Sequence, residues 1–451
     1  MSKPNRFYFS AGFLSFMFLF LVQTGFSQTI PTHQQPNIVL LMADDMGFEC
    51  LSIHGSLSYE TPFLDELARK NIHFLQAHSQ PLCTPSRVKI MTGRYNYRNY
   101  KAFGYLDVNE KTFGNYLQEA GYASCVVGKW QLNRYKQGTP DAQYVNRPHH
   151  FGFDEYCVWN FIGKGGRYAN PLLYQNGEKL ETTEEDYGPD IVSEYAVKFM
   201  EQNKDQPFFL YYPMILTHGP FVPTPDSEEW ADPKTRQKRD KRFFADMMAY
   251  TDKIVKKLAD KLDELGIRDN TIFMFTSDNG THYSLTTQTT SGPFPGGKGT
   301  MPDAGNHVPM IVSWPNGGQE GVIYKELIEF SDFLPTILEA AGIPRPSYID
   351  GESFYPILNG TSHQSRETIF VHYDPLRRGG NKRYYGRFVR NKDYKLYNDG
   401  RFYHVREDKW ETQPLSAHDL TAEQLRLKIA FQLELDQAPP HHFKQSHEYN
   451  K

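Results

Sequence analysis

Apolar runs and helical periods alternate along most of the chain. Asn37–Ala43 (NIVLLMA) is apolar at nearly every position, the pattern of a strand buried on both faces. Tyr122–Val127, Phe208–Leu216, Thr271–Ser277 and Val308–Trp314 read the same way. Between them lie helical patterns at Pro62–Lys70, Thr112–Ala120, Ile191–Glu201 and Arg242–Leu265. Glu326–Ala341 reads as a further helix, ended by Gly342 and Pro344. Buried strands alternating with helices predict an α/β fold with a mostly parallel central sheet covered on both faces.

Beyond about residue 365 the texture changes. Thr368–Tyr373, Arg383–Arg390, Tyr394–Tyr397 and Phe402–Val405 are short, aromatic and separated by turn residues such as Asn398-Asp399-Gly400. They predict a small antiparallel sheet, followed by a helix over Ala422–Leu435. The organisation expected is a segment 1–27 outside the fold, a catalytic α/β domain over 28–365, and a C-terminal α+β subdomain over 366–451.

Residues 1–27 are set apart because Lys3 and Arg6 precede an apolar run from Ala11 to Val22, followed by Gly25-Phe26-Ser27. That is the order of a secretory signal peptide, and the run is too short for a bilayer span. The expected protein is therefore exported, periplasmic or secreted, with no membrane anchor. A net charge of −4 over 451 residues gives no electrostatic footprint for nucleic acid. Export permits disulfides, but four cysteines allow three full pairings and sequence does not choose among them.

The predicted strands end in chemically active residues. Asn37–Ala43 runs into Asp44-Asp45, 122–127 into Gly128-Lys129, 208–216 into Thr217-His218, and 271–277 into Asp278-Asn279. Ligands of open α/β sheets bind beyond the carboxyl ends of the strands, so these residues should share one edge. Asp44, Asp45, Asp278 and Asn279 offer oxygen ligands, a donor set that suits calcium better than zinc. Pro85 suits the first turn of a helix, which places Cys83 at an N-terminus where anions are favoured, with Arg87 one turn on. Trp159, Asn160, Lys164 and Arg167 lie in a Gly-rich insertion that reads equally as a sugar subsite and as a surface loop. The basic stretch Lys234–Arg242 reads first as a solvated helix face and second as a polyanion-steering patch.

Cys83-Thr84-Pro85-Ser86-Arg87 with Thr92-Gly93-Arg94 resembles the hallmark of the formylglycine-dependent type I sulfatases. The resemblance runs over roughly residues 36–360 and takes in Asp44-Asp45, Gly128-Lys129-Trp130, His218, Ser277-Asp278-Asn279-Gly280 and Gly297-Lys298-Gly299. It implies an alkaline-phosphatase-like sheet and a Cys83 oxidised to formylglycine (3-oxoalanine) by a formylglycine-generating enzyme. Cys83 would then be nucleophile and calcium ligand beside Asp44, Asp45, Asp278 and Asn279. Arg87, Lys129 and Lys298 would neutralise the sulfate, and His218 would protonate the leaving alcohol. One position departs from the family pattern: Gln131 stands where a His is usual, and it cannot take a proton near neutrality. His307, Asp303 or water are candidates for that role, while Lys129, Gln131, His218 and Lys298 would contact substrate. The resemblance implies a sulfated oligosaccharide or polysaccharide substrate, with an algal polysaccharide such as ulvan or carrageenan favoured. A phosphoester hydrolase and an inactive glycan-binding protein stand as the alternatives.

Overall fold

The computed structural model describes residues 1, 2, 4, 35–133, 147–375 and 385–440. The chain divides into Met1–Gln34 and Gln35–Lys451, and every strand named here belongs to the second. The expected signal peptide falls almost wholly outside the described residues.

Sixteen strands are described: β1 Asn37–Ala43, β2 Ile72–His78, β3 Ala123–Lys129, β4 Glu155–Trp159, β5 Leu173–Gln175, β6 Glu178–Lys179, β7 Phe208–Pro213, β8 Thr271–Ser277, β9 Thr286–Thr289, β10 Gly292–Pro295, β11 His307–Ser313, β12 Ile323–Glu329, β13 Ile369–Tyr373, β14 Gly386–Arg390, β15 Tyr394–Tyr397 and β16 Phe402–His404. Ten form one sheet in the order β12-β2-β11-β8-β1-β7-β3-β4-β5-β6. Its centre, β8-β1-β7-β3-β4, is parallel throughout. The antiparallel members are β11, against both β2 and β8, and the β5–β6 edge.

β1 shows why an unbroken apolar run is needed at the centre. Ile38, Leu40 and Met42 enter one core, while Val39, Leu41 and Ala43 enter the other. The first core is closed by helices Cys83–Thr92, Phe113–Glu119 and Phe333–Ala340. The second is closed by Pro62–Lys70, Gly188–Asn203 and Phe243–Glu264.

Two expectations are corrected. Glu326–Ala341 is not one helix: its start belongs to β12, parallel to β2, and the helix begins only at Phe333. Pairing with β2 and burial of Leu327 and Ile328 outweigh local helical period. β2 itself has no counterpart among the expected strands, because His73, Gln76 and His78 interrupt its apolar run. The basic stretch Lys234–Arg242 is a run of turns rather than a helix face.

The small sheet β13-β14-β15-β16 is antiparallel throughout. One face packs Val371, Tyr373, Phe388 and Tyr397 against Leu82, Cys83 and Met301. The other face receives Phe431 and Leu435 of the helix Ala422–Gln437. The C-terminal sheet thus roofs the start of the Cys83 helix.

Candidate active site

The carboxyl ends of β1, β3, β7 and β8 deliver their polar residues to one edge of the sheet. Gly128 makes the Lys129 approach feasible: its φ is +98°, and a Cβ there would lie 2.2 Å from the Pro213 carbonyl oxygen of β7. Lys129 Nζ then donates to Asp44 Oδ2 at 2.6 Å, both side chains fully buried. Asp45 turns the chain with a positive φ of 69°. Its carboxylate accepts from Asn279 Nδ2 at 2.9 Å and from Lys298 Nζ at 2.5 Å, while its backbone N–H donates to Asp278 Oδ1 at 3.1 Å.

The Cys83 helix is tied to this cluster by its own motif. All ten of its residues are buried. Ser86 Oγ donates to the Asp278 carbonyl at 2.5 Å. Arg87 donates to Asp278 Oδ2 at 3.0 Å and to the Lys129 carbonyl at 2.8 Å. The Cys83 thiol interacts electrostatically with both Arg87 and Lys298. Cys50, Cys83, Cys125 and Cys157 are all free thiols.

His218 is one-quarter exposed, with Nε2 lying 3.8 Å from Asp45 Oδ2. Its Nδ1 is 2.6 Å from Arg167 Nη1 and 2.6 Å from the Gly219 carbonyl oxygen. A guanidinium only donates and a carbonyl only accepts, so the two contacts place opposite demands on Nδ1: Arg167 requires it bare and Gly219 requires it protonated. Arg167 also lies 4.2 Å over the Trp159 ring. That stacking occupies Trp159, which is buried and so offers no open sugar platform.

Three carboxyl groups, Arg87, Lys129, Lys298 and the His218 imidazole share this space, and they differ in charge state. Burial raises the Asp44 carboxyl, but Lys129 and then His218 overcome it and hold the group below the usual range. Burial likewise opposes ionisation of Asp45, and Lys298 again prevails. Asp278 is pushed up to about 7 by burial and by Asp44 beside it. Burial, then Lys298, pushes the His218 imidazole down to about 3.

This set fits a hard cation. Asp44, Asp45 and His218 each bring a ligand atom within 4.8 Å of the others. Asp44 Oδ1 and Asn279 Oδ1 are buried acceptors without a donor, the condition an oxygen-seeking cation would relieve. His218 in that group is a member that the sequence suggests for proton transfer and substrate contact, not for the metal.

Gln131 has a positive φ of 58°, and its Oε1 is buried without a partner. The candidates for replacing the usual His are engaged elsewhere. His307 Nε2 meets the Leu75 carbonyl at 3.0 Å, with its ring stacked on Phe48 and His78. Asp303 pairs with Arg390. The sequence, in which the insertion reads equally as a sugar subsite and as a surface loop, gives no sign of the link from Arg167 to His218.

A family model described as Sulfatase matches residues 36–343, and one described as N-sulphoglucosamine sulphohydrolase, C-terminal, matches residues 297–432. The chain is 32% identical over 381 residues to N-acetylgalactosamine-6-sulfatase of Canis lupus familiaris, covering 76% of this chain and 70% of that protein. It is similar in structure to Ps i-CgsB in complex with k-i-k-neocarrahexaose, with a TM-score of 0.72, 26% identity, and 92% and 97% of the two chains covered. A structure from work on the metabolism of multiple glycosaminoglycans by Bacteroides thetaiotaomicron shares the fold, with a TM-score of 0.71, 23% identity, and 90% and 99% coverage.

Proposed function

The chain belongs to the sulfatase family and hydrolyses sulfate esters, and from that premise we propose that its substrate is a sulfated glycan, carrageenan or ulvan in class. The observation that carries the reading is Arg87. It sits one turn from Cys83 and grips Asp278 and the Lys129 carbonyl together, binding the motif cysteine to the acid cluster. The sugar assignment is supported by likeness to a protein crystallised with a neocarrahexaose.

In this reading Cys83 is oxidised to formylglycine by a formylglycine-generating enzyme before the chain closes. At residue 83 the hydrated aldehyde would supply a nucleophilic hydroxyl, and a second hydroxyl whose loss of a proton restores the aldehyde and frees sulfate. Asp44, Asp45, Asp278 and Asn279, with residue 83, would hold calcium, which supplies charge that favours the nucleophile and the sulfate oxygens together. Lys129, Lys298 and Arg87 neutralise the anion from the protein side. His218, charged to imidazolium when the sulfate anion lies beside it, would protonate the departing alcohol oxygen and return to neutral imidazole. Gln131 offers its free Oε1 to a substrate hydroxyl. The proposed organisation is a catalytic body over 28–365 with a C-terminal subdomain over 366–451. Export through residues 1–27 is part of the same proposal; among the described residues no helix is long and apolar enough to cross a membrane.

The test is sulfate release measured by ion chromatography. The enzyme is co-produced with a formylglycine-generating system and offered ulvan oligosaccharides, carrageenans, fucoidan and glycosaminoglycans. Release from one glycan class, absent in Cys83→Ala, is the expected result. Full activity in Cys83→Ala would sink the mechanism.

A further inference from the structure

Beside the catalytic cluster, and separate from it, lies a cavity of about 200 Å³ lined by Gly165, Gly166, Arg167, Pro220, Gln237 and Arg239 among others. It joins the two segments that the sequence singled out and the reaction leaves unused, the Gly-rich insertion and the basic stretch. The basic stretch is fastened where it approaches the cavity. Arg236 is buried and donates to the Trp230 carbonyl at 2.7 Å and the Glu184 carbonyl at 3.1 Å. Three residues past the cavity-lining Gln237, the chain is pinned again by the Asp240 N–H on the Phe221 carbonyl at 3.0 Å. Arg239 is therefore presented by an anchored turn.

The charge on the cavity wall is unbalanced. Among the described residues, neither Arg167 nor Arg239 has a carboxylate partner. The nearby acids are not part of the wall: Glu184 accepts from Gln237 at 2.9 Å and from Asn170 at 3.3 Å, Asp240 pairs with Arg242, and neither lines the cavity. Arg167 brings one N–H to His218 Nδ1 and centres 4.2 Å over the Trp159 ring, which leaves it further N–H donors to offer a ligand. Two arginines facing one small cavity without acids form a receptor for a planar or tetrahedral anion. The cavity adjoins His218 through Arg167, which contacts its ring, and through Pro220, two residues further along the chain, and so lies next to the residue proposed to protonate the leaving alcohol.

We infer that this cavity is a second anion subsite, which takes a sulfate or carboxylate substituent of the leaving sugar and so selects polyanionic over singly sulfated substrates. The inference rests on the sulfated-glycan reading and deepens it. It gives the insertion and the basic stretch one shared task, which neither performs alone.

The experiment separates this from the sulfatase reading by measuring binding without turnover. In a Cys83→Ala background, calorimetry compares three saccharides of equal length: one with a single sulfate, one with two sulfates, and one with a sulfate and a uronate carboxylate. The unaltered subsite should favour at least one of the doubly charged ligands, and the favoured one identifies the anion. Arg239→Gln, at an exposed position, should reduce that preference about tenfold, which is about 1.4 kcal/mol. Arg239→Lys should retain part of the preference, and Lys234→Gln, outside the cavity, should leave it intact. Equal affinity for all three saccharides, or a preference that survives Arg239→Gln, would overturn the subsite. Sulfate release is measured separately on the matured, unsubstituted enzyme. Its absence beside an Arg239-dependent preference would overturn the sulfated-glycan hydrolysis and leave the subsite standing.

Discussion

Asp278 stands between two charges of opposite effect: Arg87 donates to it while Asp44 raises its pKa. Calcium would resolve that conflict by supplying the charge that ionisation requires. Asp278→Ala should therefore lower calcium retained after dialysis to background, read by elemental analysis, and unchanged metal content would remove Asp278 from the site. Gln131 poses the complementary question. Its buried Oε1 is an acceptor with nothing to accept, and filling it with a substrate hydroxyl adds about 1 kcal/mol of binding. Gln131→His should raise KM roughly fivefold with little change in kcat, the signature of lost uniform binding. An unaltered KM would exclude the contact. Much at this scale was legible in advance. Paired carboxylates at a strand end and a Cys-x-Pro-Ser-Arg helix start are local features of the chain. The Arg167 contact was not, because it joins positions 51 apart through a loop with no periodic signal.

At the scale of elements, β2 and β12 show where periodicity misleads. β2 carries His73 and His78, and both find ring partners that sequence does not reveal, though His78 Nε2 stays buried without a hydrogen bond. His73 Nε2 meets His54 Nε2 at 2.7 Å, and His78 Nδ1 meets Asn306 Oδ1 at 3.0 Å. Phe48 stacks between His54, at 3.6 Å, and His307, at 4.1 Å, and His78 continues the column. These rings are packed neutral. Burial pushes His54 down to about 3 and His307 down to about 4. The unfolded chain takes up these protons near pH 6.5 and the native state only below, so the stability they contribute is complete above about pH 6.5 and is lost as pH falls toward 4. His307→Gln should reduce the slope of unfolding free energy against pH in that window by about one proton, or about 1.4 kcal/mol per pH unit. Parallel slopes for the two proteins would show that His307 titrates normally.

At the scale of the molecule, the C-terminal sheet is bolted to the body rather than appended to it. Lys89 of the Cys83 helix pairs with Glu329 and donates to the Phe370 carbonyl of β13 at 3.3 Å. Lys395 of β15 donates to the Met301 carbonyl at 2.7 Å, and Arg390 of β14 holds Asp303. Heating should therefore unfold sheet and body in one transition, with calorimetric and van't Hoff enthalpies equal; two resolved transitions would refute this coupling. The change in texture near residue 365 was visible in the sequence, but these fastenings join residues far apart along the chain and were not. The roof they secure also sets a clock. Chains emerge N-terminus first at about 5–20 residues per second, so the roughly 290 residues from Cys83 to Tyr373 take about 15 s to a minute to appear. For that interval Cys83 exists without its cover, and any enzyme that must reach its sulfur has that long to do so.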